Sequence, residues 1–359
     1  MATFDHTFLT VRGALVGRTR VVQWGTGATG RLALRAVLDA PDLELVGVRV
    51  YDPAKVGCDA GELVGRASTG VAATDRLEHV LDSAADVVLY MGNVEKHLHT
   101  CLADMVALLE SGADVITTGA SFIDTAAVDP ARGRELEAAC RRGSSTFLGL
   151  GLFPGFWGEV VAPVLARLSY QCPEIVVRES LSYAGYPSRE ILVDVMGYGL
   201  PPDSTAPLLA DPDRSGGAFV GTATVLAKAL GTRVVAVQPF RDTRVTAAEL
   251  TVAAGTIPAG TVGAMKIGVR ADCGDVAIVV EHVTWMSPDV APDWAGGEGY
   301  EIEFRGAPTM RCNLVLGTEG EDHSEMGCLA TAMHAVHAIP TVRDARPGVM
   351  DLAEVSALS

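Results

Sequence analysis

Three glycines set the first chemical question. Residues 20–33 read RVVQWGTGATGRLA, so Gly25, Gly27 and Gly30 follow the order Gly-x-Gly-x-x-Gly between an apolar run and a helix-forming one. Glycines so placed permit a tight turn and a close approach of backbone to a pyrophosphate, and a helix N-terminus favours the anion. Gly25, Thr26, Gly27, Ala28, Thr29 and Gly30 are therefore expected to hold the phosphates of a dinucleotide. The same six residues also fit a purely structural turn, and the setting has to decide.

About 20 residues further on, where such folds read the adenosine ribose, the sequence is GVRVYDPAKVG. An acid here binds the ribose hydroxyls of NAD, whereas basic or small polar residues suit the phosphate of NADP. The position falls on Val50, with Arg49 and Lys55 on either side and Asp52 before Pro53. The expected cofactor is NADP, with NAD as the alternative. Asp52 is either a turn former or a displaced ribose ligand.

Three more strand ends carry small and hydroxyl residues: Met91-Gly92-Asn93, then Thr117-Thr118-Gly119 leading to Ser121, then Gly149–Gly158 with Phe153 and Pro154. Together they suit a flat ring and its ribose, so they are expected to border the nicotinamide. Phe122, Trp157, Tyr183 and Trp285 are assigned to an apolar substrate wall. The proton donor is sought among Tyr183, Ser121 and Glu95. Weaker signals read more simply as structure. His97 and His99 suit a solvated helix start, Glu281-His282 a packed strand end, and Ser324 in EDHSE a helix cap rather than a metal ligand. No metal site is expected.

These residues need elements to position them. Short strands rich in Val, Ile and Leu are predicted at Arg20–Gly25, Leu43–Val50, Val71–Thr74, Asp86–Met91, Asp114–Thr118 and Thr146–Gly151. Helices are predicted between them at Arg31–Ala40, Leu77–Ser83, His97–Glu110 and Ala131–Arg142. Such alternation predicts an α/β fold, a Rossmann doubly wound parallel sheet. From about Ile175 to Leu316 longer strands follow one another, some alternating apolar and polar residues as in YEIEFRG, with helices near Ser188–Gly197 and Phe219–Leu230. That predicts a second α+β domain on a mixed, mostly antiparallel sheet. A last helix, Ser324–Ala338, is expected to end at Pro340 and to pack back on the first domain. The expected boundaries are an extension at 1–18, the dinucleotide domain at 19–155, a second domain at 156–318, and the returning helix and tail at 319–359. The substrate is expected between the domains, over the nicotinamide.

Composition agrees. A chain of 359 residues with 48% apolar content can build two cores, and a net charge of −16 disfavours nucleic acid and anionic membranes as partners. No apolar run is long enough to span a bilayer. Seven scattered cysteines without a CxxC suggest reduced thiols and a cytoplasmic location.

Four stretches carry a resemblance: VVQWGTGATGR, Pro41–Gly65 (PDLELVGVRVYDPAKVGCDAGELVG), Gly149–Glu159 (GLGLFPGFWGE) and Gly327–Val349 (GCLATAMHAVHAIPTVRDARPGV). On them the chain resembles the dihydrodipicolinate reductase-like oxidoreductases, and within these the 2,4-diaminopentanoate dehydrogenase and native amine dehydrogenase branch. The resemblance implies NAD(P)-linked hydride transfer at a C=N bond of a small-molecule substrate, and a homodimer. The His-His-x-x-Lys motif of true dihydrodipicolinate reductases is replaced by RESLSYAGYPSREI, so that substrate is not expected. A glutamate that the branch carries shortly after the fifth strand aligns with Ser121, and the nearest carboxylates in sequence are Glu95 and Asp124. A carbonyl or enone reductase, a redox-neutral enzyme with a resident cofactor and a cofactor-binding sensor therefore stay open as alternatives.

Overall fold

The computed structural model describes residues 17–352 apart from 95, 187, 211, 295–296 and 318–322. Their contacts divide them into two units, one formed by 17–122, 130–151 and 328–352, the other by 123–129 and 152–327.

The first unit opens with β1 (Thr19–Trp24), α1 (Ala28–Asp39), β2 (Leu43–Arg49), β3 (Ala73–Thr74), α2 (Leu77–Leu81), β4 (Val87–Tyr90), α3 (Leu98–Glu110) and β5 (Asp114–Thr117). After α4 (Thr125–Val128), which belongs to the second unit, come α5 (Pro130–Gly143) and β6 (Thr146–Gly149). Seven parallel strands form its sheet, the last being a C-terminal segment, Gly348–Val349, that pairs with β6. Val21, Val22, Trp24 and all of β4 are fully buried, as helices on both faces of a parallel sheet require. β1 lies between β2 and β4, so the strand order reverses there, and ligands of open α/β sheets bind at the carboxyl ends beside such a reversal.

The second unit holds a kinked, wide-turn helix at Leu152–Val161, then α6 (Ala162–Ala166), β7 (Gln171–Ser182), a wide-turn helix at Glu190–Val195, α7 (Pro207–Ala210) and α8 (Pro212–Ala229). The strands β8 (Ala236–Val245), β9 (Leu250–Val252), β10 (Gly255–Ile257), β11 (Val262–Asp272), β12 (Ala277–Trp285), β13 (Gly299–Ala307) and β14 (Met310–Leu314) follow. Five of them join β7 in one sheet, in the order β14-β13-β7-β12-β11-β8, in which only β7 and β12 run parallel. β9 and β10 make a separate hairpin that the sequence pattern does not reveal.

Alternation gives this sheet two different faces. Val177, Glu179, His282, Thr284, Tyr300 and Ile302 share one. A Cβ on Gly158 would touch Val177 and Thr222, so the Leu152–Val161 helix and α8 cover that face. Arg178, Glu281 and Glu301 share the other, where Arg178 pairs with both glutamates.

The chain ends with α9 (His323–His337), α10 (Ile339–Asp344) and β15, the Gly348–Val349 strand. α9 ends at His337, before Pro340, which belongs to the next helix. That proline sits in the first turn of α10, where a missing N–H leaves no bond unmade. α9 begins at His323, so Ser324 lies inside its first turn rather than at its cap. In α10, Arg343 reaches Asp114 at 2.9 Å and Asp86 at 3.3 Å.

Candidate functional site

The glycine turn is shaped by what each glycine has to avoid. Gly25 has φ +88°, a region hostile to side chains, and a Cβ there would lie 2.5 Å from the Met91 carbonyl oxygen. A Cβ on Gly30 would lie 2.1 Å from the Gly25 carbonyl oxygen. Gly27 differs. It caps α1 without a side chain, and a Cβ there would meet nothing within 4 Å. Two glycines therefore close the turn, and the third leaves open space in front of the first N–H groups of α1, whose first turn holds no acid. That bare cradle fits a pyrophosphate. Gln23, fully buried beneath it, donates from Nε2 to the Gly25 carbonyl at 2.9 Å and braces the turn from inside. Sequence reasoning missed it because a polar residue in a buried strand has no motif.

The end of β2 carries cations and no acid. Val50 is 0% exposed, a core residue whose side chain is not available to a ribose. Asp52 accepts the Ala54 N–H at 2.9 Å and caps the short turn Pro53–Lys55, the turn-former reading. Lys55 extends Nζ to the Thr26 carbonyl and hydroxyl, both at 3.2 Å, directly on the glycine turn. The Arg49 guanidinium lies over the rings of Trp24 (5.3 Å) and Tyr51 (5.1 Å), and its buried Nε has no hydrogen-bond partner. Trp24 donates to the Tyr51 hydroxyl at 2.8 Å and stacks on Tyr90, whose hydroxyl donates to Asp104. Burial drives both phenols upward from their ordinary pKa and raises Asp104 as well.

At the other strand ends, Met91 is held by its N–H on the Trp24 carbonyl, and a Cβ on Gly92 would strike the Tyr51 hydroxyl at 2.6 Å. Asn93 is exposed, and its side-chain oxygen accepts the Lys96 N–H at 3.2 Å. Thr117 is buried with its hydroxyl on the Gly119 N–H, Thr118 is half-buried, and Gly119 has no room for a Cβ beside Val94. Ser121 is half-buried and its carbonyl accepts from Arg132 at 2.6 Å. Glu95 lies outside the described residues. His97 and His99 are exposed at the start of α3.

Phe122 is corrected. At 1% exposure it packs on Phe147 in the core of the first unit, with Arg132 over its ring, and presents no surface to a substrate. Trp285 lies on a different face of the second sheet from Tyr183 and His282. Two-residue alternation sets it with Val283 on the face opposite His282, where it packs with Ala264, Ala291 and Trp294. The two remaining residues of the expected wall, Trp157 and Tyr183, belong to the covered face of the second sheet. Trp157 meets Tyr300 edge-on at 6.3 Å, and its buried Nε1 lacks a hydrogen-bond acceptor. Tyr183 stacks on Tyr186 and contacts His282, whose other ring nitrogen faces Glu179.

Glu159 was not among the sequence-level candidates. It closes the Gly149–Glu159 stretch at 1% exposure. One oxygen accepts the Gly155 N–H at 2.7 Å, the other the Thr222 hydroxyl. Desolvation, with the charge of Asp124 adding to it, pushes its carboxyl up to about 8. It holds the turn after Phe153 and Pro154, where Gly155 has φ +134°. Phe153 itself packs on Phe219 at 5.7 Å. Among the described residues no cluster of His, Cys, Asp and Glu could hold a metal ion, and no helix is long and apolar enough to cross a membrane.

A reversing parallel sheet, a bare glycine cradle and a cation beside it define a dinucleotide-binding fold. Comparison with known proteins carries this further. Residues 19–129 match the model of the dihydrodipicolinate reductase N-terminus, and 213–359 that of the 2,4-diaminopentanoate dehydrogenase C-terminal domain. An amine dehydrogenase of Streptomyces virginiae is 32% identical over 93% of this chain and 95% of its own length. Among solved structures, an amine dehydrogenase from Mycobacterium smegmatis superposes with a TM-score of 0.77 at 18% identity, covering 94% of this chain and 96% of its own. GenD2 from gentamicin A biosynthesis, solved with NAD, gives 0.58 at 17% identity over 97% and 94%. The chain belongs to the dihydrodipicolinate reductase-like oxidoreductases, in their 2,4-diaminopentanoate dehydrogenase and amine dehydrogenase branch.

Proposed function

We propose that the chain is an NADP-preferring amine dehydrogenase, interconverting a small primary amine with its ketone and ammonia through an imine. The observation that carries this reading is the open Gly27 cradle in a chain 32% identical, nearly end to end, to an amine dehydrogenase. The preference for NADP rests on Val50 being core where an acid would read ribose, and on Lys55 standing at Thr26 with Arg49 close by in sequence. In this reading Gly25, Thr26, Gly27, Ala28, Thr29 and Gly30 hold the pyrophosphate. Asn93, Thr117, Thr118, Phe153 and Pro154 border the nicotinamide, and Trp157 and Tyr183 line the substrate. The bound nicotinamide supplies a hydride donor or acceptor; the chain's share is to orient the substrate, exclude water and move the proton. We assign the enzyme to the cytoplasm and to a homodimer, with the outer Arg178–Glu281–Glu301 face of the second sheet as the subunit contact.

The test is a panel of ketones with NADPH, each with and without ammonium. Oxidation of NADPH only when ammonium is present is the expected result. Equal rates without ammonium would make it a carbonyl reductase, and tight NADPH binding with no turnover a sensor. Lys55→Ala should raise the Kd for NADPH about tenfold or more, the size of a charge-assisted contact, while Kd for NADH stays within about threefold. Equal losses for both cofactors would remove the preference.

A further inference from the structure

The covered face of the second sheet carries a line of ionisable groups that binding of a dinucleotide does not explain. Glu179 and His282 stand opposite each other on the parallel pair of β7 and β12, so their side chains rise together. Glu179 Oε2 lies 2.6 Å from His282 Nδ1, and His282 Nε2 lies 3.2 Å from the Tyr183 hydroxyl. Glu179 and His282 are both buried, whereas Tyr183 is half-buried, so the line runs outward from the sheet. Across the strands the same row continues through Tyr300 and Ile267 to Arg241, which donates to the carbonyls of Leu208 and Leu209. Glu179 is thus the charged group that faces the imidazole. A carboxylate on Nδ1 fixes the proton there and leaves Nε2 to exchange one with its other partner.

We propose that Glu179, His282 and Tyr183 form a proton relay ending at the Tyr183 hydroxyl, which exchanges a proton with the substrate nitrogen. This rests on the amine dehydrogenase reading. In the reducing direction the cofactor's hydride brings both electrons to the imine carbon, and the C=N π pair becomes an N–H bond. That bond is made with the proton of the Tyr183 O–H. The tyrosinate oxygen recovers a proton from Nε2 of the His282 imidazolium, and Glu179 stabilises the imidazolium before it gives the proton up. Solvent reprotonates the imidazole. In the oxidising direction neutral His282 accepts, through Tyr183, the proton that leaves the amine nitrogen as the C=N bond forms. Tyr183 is the catalytic residue; His282 and Glu179 are positioning residues.

The first experiment needs no cofactor and no substrate. Nitrogen-15 NMR of histidine-labelled protein, at a pH alkaline enough for neutral imidazole, should show His282 protonated on Nδ1 and bare on Nε2. Glu179→Gln should lose that single tautomer. In the complete enzyme, Tyr183→Phe should lower kcat on the order of 100-fold, the usual share of a general acid, with KM changed less than about threefold. His282→Gln should lower kcat tens of fold with NADPH affinity unchanged. An Nε2–H tautomer in the wild-type protein overturns the relay, as does a Tyr183→Phe enzyme with full kcat. Absence of turnover with every amine, beside an intact Nδ1–H tautomer, overturns instead the amine reading and the nitrogen as the relay's target.

Discussion

The glycine cradle of the first unit and the acid–base face of the second are built by opposite means. Six consecutive residues, 25–30, make the cradle, and its demands are local: a positive φ at Gly25, no side chain at Gly30, none in front of the helix at Gly27. The face takes Trp157, Glu159, Glu179, Tyr183, His282 and Tyr300 from three strands, a helix and a loop, spread over more than a hundred positions. Only strand register places Glu179 opposite His282. A local device announces itself in sequence. A register device does not, and it fails if one strand slips, because a slip of one residue turns every side chain over.

Gly27→Asp should disable the cradle alone. Gly27 has φ −77°, which any residue adopts, and open space around its Cβ, so the variant should fold with wild-type Tm. The carboxylate would occupy the place of the phosphates and repel them. We expect the Kd for NADPH to rise by at least about three orders of magnitude, roughly 4 kcal/mol. Wild-type binding by calorimetry would show that the cradle is a turn and nothing more. Gly30→Ala, by contrast, should cost folding itself, since its Cβ would meet backbone.

A second prediction concerns the register side. The Glu159 carboxyl is raised to about 8 in the fold, against about 4.3 for an unfolded glutamate. Between those values the folded chain holds a proton that the unfolded chain has lost, so its contribution is complete below about pH 4 and fades as pH rises through 8. The loss sums to on the order of 5 kcal/mol at alkaline pH. Glu159→Gln copies the neutral acid: its carbonyl can accept from Gly155 and its amide can donate to Thr222. The variant should lie close to wild type in urea unfolding near pH 4, exceed it increasingly from pH 5 to about 8, and hold a constant advantage above that. A stability difference flat across that range would mean that Glu159 is ionised in the fold.

What could be read in the sequence follows the same division. The parallel sheet, the mixed second sheet and the glycine turn were legible because period and punctuation are local signals. Val50 pointed to NADP by the absence of an acid, and its complete burial gives that absence a cause. Phe122, beside the small residues of its turn, looked like a pocket residue; an aromatic followed by an apolar residue at a strand end is equally a core plug, and tertiary packing made it one. Glu159 and Glu179 were hidden because a glutamate in a helix or strand reads as a solvated residue until burial is known. Gly348–Val349 was too short to show any period. Pro340 marked the end of α9 at His337, but not that it also opens α10, because proline marks both a helix end and a helix start.

The smallest expected effect isolates parity. Trp285 and His282 are three residues apart on β12, an odd interval, so they lie on opposite faces of the sheet. Trp285 packs with Ala264, Val283 and Ala291, close to the Trp294 ring over which Arg244 and Lys266 are stacked. Trp285→Phe keeps an aromatic there and removes part of its packed volume, which should lower stability by roughly 1–2 kcal/mol. Because that face is turned away from Tyr183 and His282, KM for amine and ketone should stay within about twofold, a change below roughly 0.4 kcal/mol. Trp157→Phe, on the covered face, should instead shift KM while leaving the Trp285 cluster unaltered. If Trp285→Phe moves KM and Trp157→Phe does not, the substrate lies on the other side of the sheet, and the face bearing Glu179, His282 and Tyr183 serves only to hold the strands together.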